Sequence, residues 1–181
     1  MEQKISVFLS SHTDLSPSFE QATRAVGAWM GQNGHTLVYG GARKGLMEIL
    51  AQTVREYGGR VYGVVPQILV DRGAVSEMID ITFHCADLND RKAIMVHESD
   101  WMIALPGGIG TLDEIFTVLA ADTIGLERKH VVLYNVEGYW NPLIRTLQKM
   151  CEGKLVSNES LSWLHVVESI EELQVFSKKH L

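Results

Sequence analysis

Short apolar runs alternate with longer segments whose apolar positions fall three and four apart, and this rhythm persists along the whole chain. Residues 5–9, 36–39, 60–65, 79–84, 101–105, 130–134 and 164–167 are apolar enough to read as strands buried on both faces. Helical spacing predicts helices over about 17–33, 46–57, 87–98, 111–123, 139–150 and 169–178. In the first of these, Phe19, Ala22, Val26, Trp29 and Met30 fall near one face, so Trp29 and Met30 belong to the core. Pro17 opens that helix and Gly34 stops it. Gly58-Gly59 ends the second helix, Pro66 ends the third strand, and Ser169-x-x-Glu172 can cap the last helix. Residues 67–79 carry the weakest pattern and read as a loop with a short helical turn. On the helix over 87–98, Arg91, Met95 and Glu98 share one face. Strands alternating with helices predict an α/β fold, a doubly wound parallel sheet in one domain over residues 1–181. There is no internal repeat, low-complexity tract or linker.

Composition narrows the class. A chain of 181 residues that is 46% hydrophobic can bury a sizeable core. A net charge of -6 argues against general binding to nucleic acid or to an anionic membrane. No apolar run is long enough to cross a bilayer, and the start shows no signal-peptide layout. Cys85 and Cys151 form no C-x-x-C pair and no Cys/His cluster at metal spacing, so reduced thiols and a cytoplasmic location are expected, with no metal. The seven histidines are scattered singly and read as surface or capping residues rather than ligands.

The candidate chemistry lies in Asp100 to Glu114. The buried run 101–105 stops at Pro106, three glycines follow, and a helix is expected to start at Thr111. Glycines let a ligand approach the amides closely, and the positive end of the helix favours an anion, most often phosphate. Glu114 falls on the first turn of that helix. Thr111-x-x-Glu114 also reads as a capping box, in which both side chains serve only the backbone. The spacing is not the dinucleotide fingerprint, because Gly108-x-Gly110 lacks the third glycine. A second glycine-rich turn, Gly40-Gly41-Ala42-Arg43-Lys44-Gly45, follows the second strand. It is not a phosphate loop of the Walker type, because Leu46 and Met47 stand where Lys and Ser or Thr are required. Both turns lie at strand carboxyl ends, where parallel sheets bind ligands, and together they define one cleft.

Several segments jointly resemble one family. Val38-Tyr39-Gly40-Gly41 with Gly45-Leu46-Met47, then Asp90-Arg91-Lys92-Ala93-x-Met95, then Leu105-Pro106-Gly107-Gly108-x-Gly110-Thr111-x-x-Glu114, are similar to the Lonely Guy (LOG) family. Asn135-Val136-x-Gly138-Tyr139-x-x-Pro142-Leu143 resembles its C-terminal segment. The resemblance implies a Rossmann-like fold and a phosphoribohydrolase that cleaves nucleoside 5'-monophosphates, cytokinin ribotides or AMP, to free base and ribose 5-phosphate. It further implies that Arg91 and Glu114 are the catalytic pair. Substrate and its phosphate are held by Gly40, Gly41, Lys92, Met95, Gly107, Gly108, Ile109, Gly110 and Thr111. No cofactor is implied. The partner is the small-molecule nucleotide, in a homodimer or larger homo-oligomer with sites near the subunit interface. The rival reading is a nucleotide- or cofactor-binding module of the same fold without turnover.

The chemistry suits these residue types. Breaking a base–ribose bond develops positive charge on the sugar, which a carboxylate can stabilise while it positions hydroxyls or activates water. Arginine stays protonated, so Arg91 orients the ligand and Glu114 rather than acting as an acid. The sequence departs from the family pattern at Leu88-Asn89-Asp90, at Glu48 and at Ser10-Ser11-His12, and the first of these is expected to shape the base pocket. Phe116, Leu119 and Trp140 exceed what one subunit readily buries, which accords with an oligomer.

Overall fold

The computed structural model describes residues 2–180. Seven strands form one sheet: β1 (Lys4–Phe8), β2 (Thr36–Tyr39), β3 (Arg60–Pro66), β4 (Ile81–Cys85), β5 (Trp101–Ala104), β6 (Val131–Tyr134) and β7 (Leu164–Val167). Their order is β4-β3-β2-β1-β5-β6-β7 and every pairing is parallel. Parallel strands need long crossovers. These contain α1 (Pro17–Gln32), α2 (Gly45–Glu56), α3 (Gln67–Asp71), α4 (Leu88–His97), α5 (Ile109–Thr123) and α6 (Asn141–Glu152), and α7 (Ile170–His180) follows the last strand.

Two apolar cores, one on each face, account for the uninterrupted hydrophobicity of the central strands. On one face Trp29 and Met30 of α1, Leu50 and Val54 of α2, and Leu173 and Phe176 of α7 pack on Ile5, Leu37, Trp101 and Ile103. On the other, Met95 of α4, Ile115 and Leu119 of α5 and Leu147 of α6 cover Phe8, Val64, Met102 and Leu133. Each such side chain removed from water stabilises the fold by about 1.5–3 kcal/mol before entropy is counted. Trp101 sits at the hub, its ring 6.2 Å from that of Trp29 and 5.4 Å from that of Phe176.

The expected α/β doubly wound sheet is therefore the observed one, with several local differences. The segment after β3 contains a true short helix, α3, and an antiparallel bridge pairs Ala42 with Val75. Helix α6 starts two residues later than expected, after a 3-10 turn at Val136–Gly138. Of the three surplus apolar residues, Leu119 and Trp140 are buried within this single chain, and Phe116 alone remains 38% exposed. The Trp140 indole N–H donates to the Ala104 carbonyl at 3.2 Å, which accounts for its position under β5. No helix among the described residues is long and apolar enough to cross a membrane.

The chain order runs outward from β1 to β4 on one side, then restarts at β5 on the other side of β1. The switch point thus lies between β1 and β5, where the loops leaving the two strands diverge and open a crevice.

Candidate active site

Helix α5 begins at Ile109, three residues earlier than the capping-box reading requires. Its N-cap is Gly108, which has no side chain to satisfy the first amides, and Leu112 N–H is the first to bond back, to the Gly108 carbonyl at 3.1 Å. The N–H groups of Ile109, Gly110 and Thr111 therefore have no intrahelical acceptor. Thr111 is already the third helical residue and is buried, so Thr111 and Glu114 do not form a capping box. The Thr111 side chain instead fills the space over Gly107, where a Cβ would lie 2.0 Å from its Oγ1. The turn is held through its carbonyls. Tyr139 OH donates to the Gly107 carbonyl at 2.6 Å and Ser10 N–H donates to that of Pro106 at 3.3 Å. What remains unbonded at the turn is a set of amides at the positive end of a helix, a setting suited to an anion.

Glu114 lies one turn further along α5, 7% exposed, with its Oε1 3.9 Å from Nη1 of Arg91. The separation is an ion pair too long for a hydrogen bond. Arg91 comes from α4, where Asp87 accepts the N–H groups of Asn89 and Asp90 at 2.8 and 2.9 Å. Its Nε donates to the Val64 carbonyl at 3.2 Å. The guanidinium lies against Gly40, where a Cβ would stand 1.5 Å from Nη2. Burial raises the Glu114 carboxyl to about 7, aided by Asp113 and opposed by Arg91 and Lys92. A buried carboxylate titrating near neutrality is poised for proton transfer or charge stabilisation.

Arg91, Glu114, Gly108, Ile109, Gly110 and Thr111 all line one cavity of about 470 Å³ at the carboxyl edge of the sheet. Ala42 of the β2 turn reaches the same cavity, so the two glycine-rich turns do meet there. Ser10, Ser11 and His12 line it too, although no motif marks them as site residues. The signal was topological: β1 lies between β2 and β5, so the turn leaving β1 must enter any cleft the other two share. The remaining wall is apolar and comes from Met47, Pro66, Ile68, Leu69 and Leu88. The lining is thus mixed: the α5 amides and the β1 turn come from the switch point, and the apolar side chains from α2, α3, α4 and the end of β3.

Other expected site residues lie elsewhere. Met95 is 1% exposed in the core beneath α4, because that face of the helix turns toward the sheet. Lys92 Nζ is 2.7 Å from Asp113 Oδ1 and outside the cavity wall. Gly41, at φ +74, faces Val65 rather than the cavity, and Gly107 backs the turn from beneath. Gly40 contributes room for Arg91. Of the Leu88-Asn89-Asp90 segment only Leu88 lines the cavity; Asp90 accepts the Ala86 N–H at 2.8 Å and so serves the start of α4. Nor are all the histidines isolated. His130, His165 and His180 gather with Phe176, with His130 Nδ1 2.8 Å from His165 Nε2. Burial lowers His130 and takes His165 down to about 4. This cluster lies at the amino ends of β6 and β7, opposite the cleft. A larger cavity of about 670 Å³, between α6 and β7, includes Cys151 and Leu161 but no glycine-rich turn.

Comparison with known proteins bears on the same residues. A family model described as "Possible lysine decarboxylase" matches residues 47–175, which include Arg91 and Glu114. The cytokinin riboside 5'-monophosphate phosphoribohydrolase LOG7 of Arabidopsis thaliana is 37% identical over 155 residues, covering 86% of this chain and 71% of that protein. The probable cytokinin riboside 5'-monophosphate phosphoribohydrolase LOGL6 of Oryza sativa subsp. japonica is 35% identical over 185 residues, covering 98% and 73%. Among solved structures, the molybdenum cofactor binding protein from the phototrophic bacterium Rippkaea orientalis superposes with a TM-score of 0.75. It is 24% identical, covers 98% of this chain and 96% of that one, and so shares the fold.

Proposed function

This chain belongs to the LOG family, whose model is described as possible lysine decarboxylase, and from that membership we propose that it hydrolyses the N-glycosidic bond of nucleoside 5'-monophosphates. The observation that carries the reading is Glu114: a buried carboxylate to which no group among the described residues donates a hydrogen bond, loosely paired with Arg91, in the wall of a cavity that also holds the free amides of α5. The 5'-phosphate binds at Ile109, Gly110 and Thr111, and the base lies toward Leu88, Ile68 and Met47. Water adds to the anomeric carbon as the bond to the base nitrogen breaks; the departing base takes a proton from solvent, to which Glu114 later returns the one it receives. Glu114 in its ionised form stabilises the positive charge on the ribose and takes the proton from the attacking water. Arg91 keeps part of the Glu114 population ionised and orients the sugar. The 3.9 Å gap leaves both groups free to bond a ligand.

Decarboxylation through a Schiff base fits less well, because it needs a lysine amine in the wall. The wall has none; Lys92 is turned to Asp113. AMP and prenylated adenosine monophosphates are the substrates that an apolar base side accommodates. The exposed Phe116, with Leu88 and Ile109 at the rim of the cavity, supports a homo-oligomer that covers these side chains. Free Cys85 and Cys151 accord with a cytoplasmic protein.

The test is to incubate the protein with AMP, other nucleoside monophosphates and a prenylated ribotide and to assay free base and ribose 5-phosphate. Release of base in equal amount to ribose 5-phosphate supports the reading. Tight nucleotide binding with no release under any condition assigns the chain to the binding modules of the fold instead.

A further inference from the structure

A phosphate carries nearly two negative charges at neutral pH, and the polar lining of this cavity offers little fixed charge to meet them. The half-charge of a helix end is one contribution. The side chains that could add to it are mostly committed elsewhere. Arg91 has its Nε bonded to the Val64 carbonyl, and its free Nη groups are assigned to Glu114 and the sugar rather than to the phosphate. Lys92 is paired with Asp113 at 2.7 Å. Arg43 is paired with Glu77 at 2.7 Å and bonded to the Gly73 carbonyl. Among the described residues that line the cavity, the charged or titratable ones are Arg91, Glu114 and His12. Glu114 is negative when active, so the polar lining is short of a cation unless His12 provides one.

His12 is placed to do so. The turn leaving β1 is anchored to the phosphate turn by the bond from Ser10 N–H to the Pro106 carbonyl. The His12 N–H in turn donates to Ser10 Oγ at 3.0 Å. On the other side the carbonyls of Ser11 and His12 press on Gly45 at the start of α2, where a Cβ would lie 2.2 Å from the His12 oxygen. The backbone of His12 is thus fixed from two directions, and the residue is exposed and lines the cavity. Asp14, in the same turn, accepts from the Thr13 hydroxyl, and Lys44 and Glu48 lie on either side of Gly45 at the start of α2. Neither Lys44 nor Glu48 lines the cavity.

We propose that the His12 imidazolium is the cationic contact for the 5'-phosphate, which makes it a specificity-determining residue that couples nucleotide affinity to pH. The inference rests on the hydrolase reading for the identity of the ligand, but its test needs no turnover. An imidazole attracts an anion only in its protonated form, which falling pH favours, whereas Glu114 must lose its proton to act. Phosphate binding and catalysis therefore have opposite pH dependences, and kcat/KM passes through a maximum.

The experiment is calorimetric titration of ribose 5-phosphate into the wild type, His12→Ala and His12→Arg at about pH 6 and about pH 8.5. Phosphate itself changes charge over this range, so each variant is read as a ratio to wild type at the same pH. His12→Ala is expected to bind about tenfold more weakly at the lower pH and nearly as well as wild type at the higher. His12→Arg, charged at both, is expected to match wild type at the lower pH and exceed it at the higher. An Ala ratio that is the same at both pH values overturns the proposal. So does a failure of wild type to bind ribose 5-phosphate, or a loss of kcat on AMP in His12→Ala with unchanged affinity. The expected affinity pattern without release of base from any monophosphate supports His12 and overturns only the hydrolase reading.

Discussion

Gly40 and Gly41 follow β2, and Gly108 and Gly110 follow β5; the two turns have similar composition and lie at the same edge of one sheet. Their surroundings differ. A Cβ on Gly40 would meet the Arg91 guanidinium, one on Gly41 would meet Val65 at 2.6 Å, and one on Gly45 the backbone of Ser11 and His12. These glycines make room for the protein itself. A Cβ on Gly108 or Gly110 would meet nothing within 4 Å, and neither residue has a positive φ. Glycine is a favoured N-cap at Gly108, but at Gly110, inside the helix, the fold gives no reason for it and it costs up to about 1 kcal/mol relative to alanine. The second turn leaves its space open. One glycine-rich turn makes room for the Arg91 guanidinium, and the other leaves its amides accessible.

The sharpest way to break this division is at the group the two turns jointly frame. Glu114→Gln is expected to lower kcat by about 10³-fold, measured with AMP, because the amide can neither accept a proton nor stabilise the ribose charge. Stability should move the other way. The folded carboxyl, raised to about 7, lies above its ordinary unfolded value near 4.3. Its contribution is therefore fully present below about pH 4 and lost as pH rises through 7, a loss of about 3 kcal/mol once ionised. The Gln variant avoids that loss, so its melting temperature should exceed that of wild type at about pH 8.5 and match it near pH 4. Wild-type kcat should rise with pH through about 7 as Glu114 ionises. Near-wild-type turnover in Glu114→Gln contradicts the catalytic assignment.

Next in size is Gly40→Ala. The added methyl must displace the Arg91 side chain, and a shift of about 1 Å at a catalytic group costs on the order of 10²-fold in kcat/KM. A crystal structure of the variant with Arg91 unmoved would show that the steric argument fails. Gly110→Ala separates the turns most cleanly. The fold should be equal or more stable, by up to about 1 kcal/mol in chemical denaturation, while KM for AMP rises about tenfold as the methyl crowds the phosphate amides. A destabilised variant with unchanged KM would place Gly110 among the structural glycines.

Much of this arrangement was legible in the residues. The strands were readable because a parallel sheet covered on both faces demands apolar runs, and Arg91 and Glu114 stand out by motif. The start of α5 was not, since Thr111-x-x-Glu114 imitates a capping box and only the Gly108 carbonyl accepting Leu112 N–H shows where the helix begins. Met95 shares a helical face with Arg91, but an arginine is long enough to leave that face and reach the cavity while a methionine stays in the core. Asp90 looked like a pocket residue because its neighbours are, yet its carboxylate is used by the Ala86 amide. His12 was hidden by sequence distance from both motifs.

The smallest expected effect concerns the base. Leu88 is 60% exposed and belongs to the apolar lining. Leu88→Met should change the kcat/KM ratio of a prenylated ribotide to AMP by about 1 kcal/mol, near fivefold, with activity on both retained. A fixed ratio would move the base away from α4.

The central claim is that the open turn at Gly108–Thr111 holds a phosphate, and the direct measurement is kcat/KM for AMP and for adenosine on the same preparation. The account predicts a preference for AMP on the order of 10²-fold or more, since losing a charge-assisted contact to the amides and to His12 costs a few kcal/mol. Equal values for the nucleotide and the bare nucleoside would contradict it.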